Sequence, residues 1–229
     1  MPDVTLTTVF GGPTDPHVMN SMLAHYASLG VDNRIVHINA RNADERSSTE
    51  ALVRASGANV GSVFEGRWIS TMNTMLLAST RLSRPSQWHI VADQDELQVY
   101  PDELTSIISY CDRKGYDFVE GCFIDRVADG GRLVSAREDV SLFDQYPIGA
   151  LITGNIMRAA ITKIVAMKGS VLLTHGQHHA LTGVGCPPTE VYVPVHHFKW
   201  TGRLRERLEG LKAGYSAYSS ECQRQRFVG

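Results

Sequence analysis

The sequence of 229 residues predicts an α/β protein with a mostly parallel central sheet flanked by helices. In the first half of the chain, short runs of β-branched and apolar residues alternate with segments whose apolar residues recur at helical spacing. The composition, 43% hydrophobic and 20% charged, indicates a buried core rather than disorder. We expect a single domain over residues 1–229, ending in a C-terminal helix.

The first elements follow from apolar spacing and glycines. Residues 4–10 form a β-rich run that the Gly11-Gly12 loop ends, and the apolar residues of 19–29 then recur at helical spacing until Gly30 stops the helix. The next elements are a strand over residues 34–38, a helix over 49–55 and a strand over 60–64.

The following elements continue the alternation. They are a helix over residues 68–82, a strand over 88–92, a helix over 103–114 and a strand over 117–123. Because strands joined by helices pair in parallel, their carboxyl ends meet at one edge, where such sheets bind ligands. The Gly11-Gly12 loop and the acids after residue 92 both fall there.

Three carboxylates within four positions, Asp93, Asp95 and Glu96, follow the strand that Trp88 begins. They repel one another beside buried apolar residues, so a cation or charge-assisted hydrogen bonds should offset the cost. If the chain stays extended, Asp93 and Asp95 lie on the same side, and oxygen ligands suit Mg²⁺ or Mn²⁺ better than Zn²⁺. Alternatively, the acids cap the helix near Pro101 or remain solvated in a loop.

Charge and hydropathy exclude several classes of function. A net charge of −2 with interspersed signs provides no broad footprint for nucleic acid. No stretch is apolar for long enough to form an integral membrane segment, and the N-terminus lacks the regions of a signal peptide, so we expect a cytoplasmic protein. The cysteines are too scattered for a zinc knuckle or disulfide framework; they are Cys111, Cys122, Cys186 and Cys222.

An ordered set of motifs resembles a known family. The set comprises His25-Tyr26-x-x-x-Gly30-Val31-Asp32, Arg67 and Asn73 on a helix, and Trp88-x-Ile-Val-Ala-Asp93-x-Asp95-Glu96. Together these look like the family 2-type glycosyltransferases of GT-A fold, in particular the subgroup with a Trp-led strand ending in Asp-x-Asp-Glu. The resemblance covers most of the chain and implies a GT-A-like domain with a nucleotide-sugar-binding half, 1–123, and an acceptor and catalytic half, 124–229.

The resemblance also assigns roles to residues of the first half. Asp95 would bind a Mn²⁺ or Mg²⁺ ion, and Asp93 would contact the ribose or the outer shell of the metal. The donor would be a nucleotide-diphosphate sugar, with UDP the common family choice. Further donor contacts would come from Phe10, Gly11, Gly12 and Asn39 near the base and ribose, and from Arg67 and Asn73 near the diphosphate. The first loop departs from the family, because Gly11-Gly12-Pro13 stands where an acid is common.

Histidines of the second half gather in two groups, one of His175, His178 and His179, the other of His196 and His197. In the family a C-terminal histidine often completes the metal site, and the segment around His196 looks like the one that returns to it. Since adjacent strand residues face opposite sides, only one of His196 and His197 can reach the metal, with His196 as the first candidate. The rival is a zinc site that includes His175 and His178.

Sugar transfer also needs a base to deprotonate the acceptor hydroxyl. The candidates are Asp125, Glu138 or Asp139, and the 175–179 histidines, among which His178 and His179 come first because the family places its base well downstream. In the tail, leucines share one helical face. Lys199, Trp200 and Arg203 are candidate diphosphate or acceptor contacts.

These features favour a metal-dependent glycosyltransferase, with inversion as the course that the family resemblance favours. The acceptor could be a small molecule, a glycan or a lipid-linked compound, and the oligomeric state stays open. The alternatives are a non-catalytic nucleotide-sugar or carbohydrate-binding module on the same scaffold and a metal-dependent hydrolase. A dehalogenase-type phosphohydrolase is disfavoured, because Leu97 stands where that class needs Thr or Val.

Overall fold

The computed structural model describes residues 3–12, 15–68, 70–210 and 212. The strands are β1 Val4–Gly11, β2 Asn33–Ala40, β3 Asn59–Glu65, β4 Trp88–Val91, β5 Glu96–Gln98, β6 Phe118–Val127, β7 Ile148–Ala150, β8 Thr162–Lys168, β9 Gly185–Cys186 and β10 Val193–His197. The helices are α1 Pro16–Ser28, α2 Ala43–Ala55, α3 Ser70–Leu82, α4 Leu104–Lys114, α5 Leu142–Gln145, α6 Ile152–Asn155 and α7, residues 204–210. Cys222 and the end of the predicted tail helix lie outside the described residues.

The first half confirms the predicted alternation of strands and helices. β3, β2, β1 and β4 lie side by side in that order, and each neighbouring pair is parallel. α2 begins six residues earlier than predicted, because the Asn42 side chain accepts a hydrogen bond from the Glu45 N–H and caps the helix.

The second half makes the sheet mixed. β8 lies between β4 and β6 and is antiparallel to both. β10 runs parallel to β6, and β5, which was not predicted, pairs antiparallel with β10. Residue 123, the predicted boundary between the halves, lies inside β6. Strands from both halves therefore belong to one sheet.

The main core lies between the sheet and its helices. α1 and α4 each bury one apolar face, which includes Met22 and Tyr26 of α1 and Ile107 and Ile108 of α4. Burying a side chain such as Met22 or Ile107 contributes about 1.5–3 kcal/mol to the stability of the fold. No helix in the described ranges is long and apolar enough to cross a membrane.

The strand directions place one set of polar residues at a common edge. β1, β2, β4, β6 and β10 all run the same way, so their carboxyl ends meet there. β8 runs in the opposite direction, so its first residues, Thr162 and Lys163, reach the same edge. This edge is where open α/β sheets bind ligands.

Candidate functional site

The acids after β4 lie on a tight turn rather than an extended chain. The Glu96 N–H donates to the Asp93 carbonyl at 3.1 Å, and the Asp93 N–H donates to Glu96 Oε2 at 2.9 Å. The turn separates the three carboxylates, so that the Asp93 side chain is 52% exposed whereas Asp95 and Glu96 are buried. They do not cap α4, whose N-cap is Glu103, and burial excludes a solvated loop for Asp95 and Glu96.

A buried lysine that the sequence analysis missed pairs with two of these acids. Lys163 Nζ lies 2.8 Å from Asp93 Oδ2 and 3.0 Å from Glu96 Oε1, and its side chain is 1% exposed. Burial alone would lower the pKa of Lys163, but the two carboxylates outweigh it and raise that pKa. Loss of water around part of the Asp93 side chain likewise opposes its ionisation, yet the Lys163 charge holds the Asp93 pKa below its ordinary value. Burial and the Asp93 charge raise the pKa of Glu96.

The third acid, Asp95, faces two residues from the C-terminal part of the chain. Arg207 Nη1 of α7 lies 3.0 Å from Asp95 Oδ2, and His197 Nε2 of β10 lies 3.8 Å from Asp95 Oδ1. The Asp95 side chain is buried, whereas Arg207 is 34% exposed. Arg207 was not among the predicted site residues, because its position depends on how α7 docks.

Asp125 accepts a hydrogen bond from the other nitrogen of the His197 ring. Its Oδ1 accepts hydrogen bonds from His197 Nδ1 at 3.1 Å and from Trp200 Nε1 at 2.9 Å. Thr153 donates to the same carboxylate through its hydroxyl at 2.7 Å and its N–H at 2.6 Å. Burial alone would raise the Asp125 pKa, but these hydrogen bonds hold it well below its ordinary range. The Asp125 carboxylate thus accepts four hydrogen bonds, one of which orients the His197 ring.

His196 and His197 face opposite sides, as strand alternation predicts, but His197 rather than His196 reaches the acids. His196 packs edge-on against Phe143 at a centroid distance of 5.0 Å. Burial lowers its pKa to about 4. His197 stacks on Phe123 at 4.8 Å, on the side of the sheet edge that carries Asp95.

The Gly11-Gly12 loop approaches its neighbours closely. The Gln94 side chain accepts a hydrogen bond from the Gly11 N–H at 2.9 Å and donates to the Gly11 carbonyl at 2.7 Å. A Cβ at Gly11 would lie 2.4 Å from the Asn39 carbonyl oxygen and 2.8 Å from the Trp68 ring. The Phe10 side chain is fully buried in the core, so only its backbone can contribute to a ligand site.

Two buried amides near this edge have unpaired atoms. Asn39 donates to the Gly66 carbonyl at 3.1 Å, but its buried Oδ1 has no hydrogen-bond partner among the described residues. Both amide atoms of Asn73 on α3 are also buried without a partner there. Leaving such groups unsatisfied is costly, which marks them as candidate ligand contacts. Arg67, by contrast, is exposed.

His178 and His179 differ in their surroundings. His178 is half-buried, its Nδ1 donates to the Thr162 carbonyl at 2.7 Å, and its ring meets the edge of Phe123 at 6.1 Å. Burial lowers the pKa of His178 and outweighs the hydrogen bond to Thr162. His179 is exposed, and its backbone pairs with Thr174. The structure thus brings His178, but not His179, beside the Phe123 ring that also carries His197.

A cleft and a smaller cavity open beside these residues. The cleft, about 250 Å³, is lined by Gly11, Gly12, Pro16, Met19, Arg41, Glu45, Ser48, Thr49 and Arg203. The cavity is lined by residues that include Asp15, Asp95, Lys199, Arg203 and Arg207. Arg203 borders both, so the two are adjacent. Burial and the nearby Arg207 charge lower the pKa of Lys199.

The residues at Asp95 suit a divalent cation that takes further ligands from a substrate. Asp125 accepts the Nδ1 proton of His197, and Nε2 of the same ring faces Asp95, a carboxylate–histidine arrangement found behind many metal ligands. The 3.8 Å separation is too long for a hydrogen bond. Within the described residues no group of three or more His, Cys, Asp or Glu side chains is close enough to hold a metal. Mg²⁺ sites completed by substrate phosphates need only one or two protein ligands.

No family model and no curated protein matches the chain. Similar solved structures include a putative glucose-1-phosphate thymidylyltransferase from Bacillus anthracis in complex with a sucrose, with 11% identity and a TM-score of 0.35 over 57% of this chain and 58% of that chain. A second is a 4-diphosphocytidyl-2C-methyl-D-erythritol synthase, with 13% identity and a TM-score of 0.39 over 74% of this chain and 76% of that chain. A third is S. aureus TarS, with 12% identity and a TM-score of 0.35 over 58% of this chain and 23% of that chain. The chain thus spans just over half of the first protein and just under a quarter of the third.

Proposed function

We propose that the protein is a metal-dependent glycosyltransferase that moves a sugar from a nucleotide-diphosphate donor to a hydroxyl acceptor with inversion. One observation carries the proposal. Asp95 and His197 Nε2 face each other at the carboxyl edge of the sheet, with Asp125 fixing the tautomer of His197. The acid turn and the cleft beside Gly11 lie at the same edge.

Asp95 and His197 would hold the metal, a Mn²⁺ or Mg²⁺ ion, and Asp93 would contact the ribose or the outer shell. When bound, the ion would neutralise the charge that develops on the departing nucleoside diphosphate. Arg207 already neutralises Asp95, so we infer that the guanidinium gives up this carboxylate when donor and metal bind. Lys199, Arg203 and Arg207 would then face the diphosphate.

The cleft beside Gly11 and Gly12 would take the nucleoside, because the glycine backbone allows close approach and Asn39 has an unpaired acceptor nearby. Asn73, with both amide atoms unpaired, and the exposed Arg67 would contact the diphosphate or sugar. UDP is the nucleotide that the family resemblance favours. The acceptor would be a small molecule, a glycan or a lipid-linked compound.

His178 would be the general base. Its Nδ1–H is committed to the Thr162 carbonyl, so Nε2 carries the lone pair that can accept the proton of an acceptor hydroxyl. The lowered pKa keeps this ring neutral at physiological pH. His179 would contact the acceptor from its exposed position, and Asp125 would orient His197.

The proposal is tested by incubating the protein with a panel of nucleotide sugars and mixed acceptors and measuring release of nucleoside diphosphate. We expect release from one donor class in the presence of Mn²⁺, and loss of release with a chelator or in Asp95→Ala. Asp102→Ala is the matched control, because Asp102 is exposed and its carboxylate accepts the N–H of the adjacent Glu103. Release that survives both the chelator and Asp95→Ala would contradict the proposal, as would donor binding without any release.

A further inference from the structure

We propose that Lys163 is a positioning residue of the donor site, which fixes the Asp93 carboxylate at the carboxyl edge of the sheet through a buried ion pair that Glu96 anchors. The inference rests on the proposed function, since it assigns to Lys163 an effect on metal-dependent nucleotide binding. Lys163 acts through Asp93 and does not itself contact the substrate.

The first step of the argument is geometric. Lys163 enters the site from β8, and its Nζ bridges the half-exposed Asp93 and the fully buried Glu96 at 2.8 and 3.0 Å. Glu96 also accepts the Asp93 N–H, so Asp93 is held through its side chain and its backbone. One oxygen of Asp93 is therefore tied inward while the side chain remains half-exposed.

The second step concerns charge. Lys163 is the cation beside Asp93 and Glu96, whereas Arg207 is the cation beside Asp95. Without Lys163 the acid turn would carry an uncompensated charge beside the buried Glu96.

The third step concerns stability. A buried ion pair contributes little net stability relative to apolar side chains of similar volume, because desolvation offsets the attraction. A lysine that is fully buried in an otherwise apolar strand segment, residues 163–167, is thus poorly explained by stability alone. Its contact with a half-exposed carboxylate at the ligand edge points to a role in the site.

The test replaces the buried pair without changing the net charge, in the double variant Lys163→Met/Glu96→Gln. The amide introduced at position 96 keeps an oxygen for the Asp93 N–H, and the thioether introduced at position 163 fills the space of the lysine stem. We expect the melting temperature to change by no more than a few degrees. Affinity for the nucleotide with Mn²⁺, measured by calorimetry and by the Mn²⁺ electron paramagnetic resonance spectrum, should fall roughly 10- to 100-fold, as for other residues that orient metal ligands.

Lys168→Met is the matched control, because Lys168 lies at the opposite end of β8 and pairs with Asp112 and Asp117. Its nucleotide affinity should equal that of the native protein. A folded double variant with native affinity would overturn the role of Lys163 alone. Absence of metal-dependent binding in the native protein would instead overturn the proposed function.

A second variant keeps the inference testable if the double variant does not fold. Asp93→Asn changes a half-exposed side chain and leaves the Lys163–Glu96 pair in place. If Lys163 acts by fixing Asp93, this variant should lose metal-dependent affinity by a similar factor. Native affinity in Asp93→Asn would overturn the inference.

Discussion

Two imidazole rings are fixed in the same tautomer on neighbouring parts of the site. His197 donates its Nδ1–H to Asp125, and His178 donates its Nδ1–H to the Thr162 carbonyl. The other nitrogen, Nε2, faces Asp95 in His197 and belongs to a half-buried ring in His178. In the proposed mechanism one residue type would serve as a metal ligand, His197, and as a general base, His178.

Replacing His178 should separate chemistry from binding. In His178→Gln we expect kcat to fall by roughly 10²- to 10⁴-fold, because the general base is lost while the nucleotide contacts remain. In the native protein the rate should fall as pH decreases through a pKa below 6.5, since burial lowers the pKa of His178 and only the neutral ring accepts a proton. Steady-state kinetics across a pH range of about 5 to 8 measures both effects.

The exposed His179 provides the control for that experiment. His179→Gln should retain the native pH profile, because its ring does not share the Phe123 contact of His178. A native rate in His178→Gln, or an equal loss in His179→Gln, would assign the base elsewhere.

At the scale of elements, the site depends on where strands end and on how α7 docks. The acids follow β4, and Arg207 on α7 contacts Asp95 across 112 positions of sequence. Arg203 Nη1, just before α7, lies 3.2 Å from Glu206 of the helix, and the Arg41 guanidinium lies 3.9 Å from the same Glu206. The docked helix therefore places a cation on the carboxylate that we assign to the metal.

Removing that cation should strengthen metal binding in the absence of nucleotide. In Arg207→Ala we expect tighter Mn²⁺ binding, by severalfold, because no guanidinium competes for Asp95. Titration of free Mn²⁺ by electron paramagnetic resonance measures this. Arg205→Ala, an exposed position on the same helix, should bind Mn²⁺ like the native protein. Unchanged or weaker Mn²⁺ binding in Arg207→Ala would show that Arg207 does not compete with the metal for Asp95.

Gly11 of β1 packs so closely against β2 and Trp68 that a larger residue should not fit there. Gly11→Ala would place Cβ against the Asn39 carbonyl and the Trp68 ring, so we expect a loss of about 1–3 kcal/mol in the free energy of unfolding. Urea denaturation measures it. Gly210→Ala, with open space around its Cβ, should not destabilise the protein. Equal stability of Gly11→Ala and the native protein would argue against this close approach.

For the whole molecule, local pattern predicted the alternating first half and the edge at which the acids lie. β-branched runs and helical spacing were sufficient for β1 to β4 and α1 to α4. The antiparallel insertion of β8 was not predictable, because pairing between distant strands leaves no local signal. The role of Lys163 was missed for that reason. A lone lysine inside the apolar run of β8 was the available sign.

The free energy of unfolding should decrease at acidic pH because of a buried histidine. His89 is fully buried, and burial lowers its pKa to about 4 from an ordinary 6.5. Between these values the unfolded chain binds a proton that the folded chain does not, so the stabilisation present above pH 6.5 is lost as pH falls toward 4. We expect His89 to account for about 2 kcal/mol of unfolding free energy lost between about pH 7 and pH 5.

Urea denaturation at these two pH values checks this contribution. His89→Gln should lose less stability than the native protein over the same interval, whatever its stability at neutral pH. An equal loss in both proteins would show that His89 does not carry this pH dependence.

The most direct test of the assigned donor site is calorimetry of UDP, GDP and dTDP binding, with Mn²⁺ and with a chelator, in the native protein and in Asp95→Ala. We expect one nucleotide to bind the native protein in the presence of Mn²⁺, and both the chelator and Asp95→Ala to abolish that binding. If no nucleotide binds, or if binding persists in Asp95→Ala with chelator present, Asp95 and His197 do not form a metal-dependent donor site.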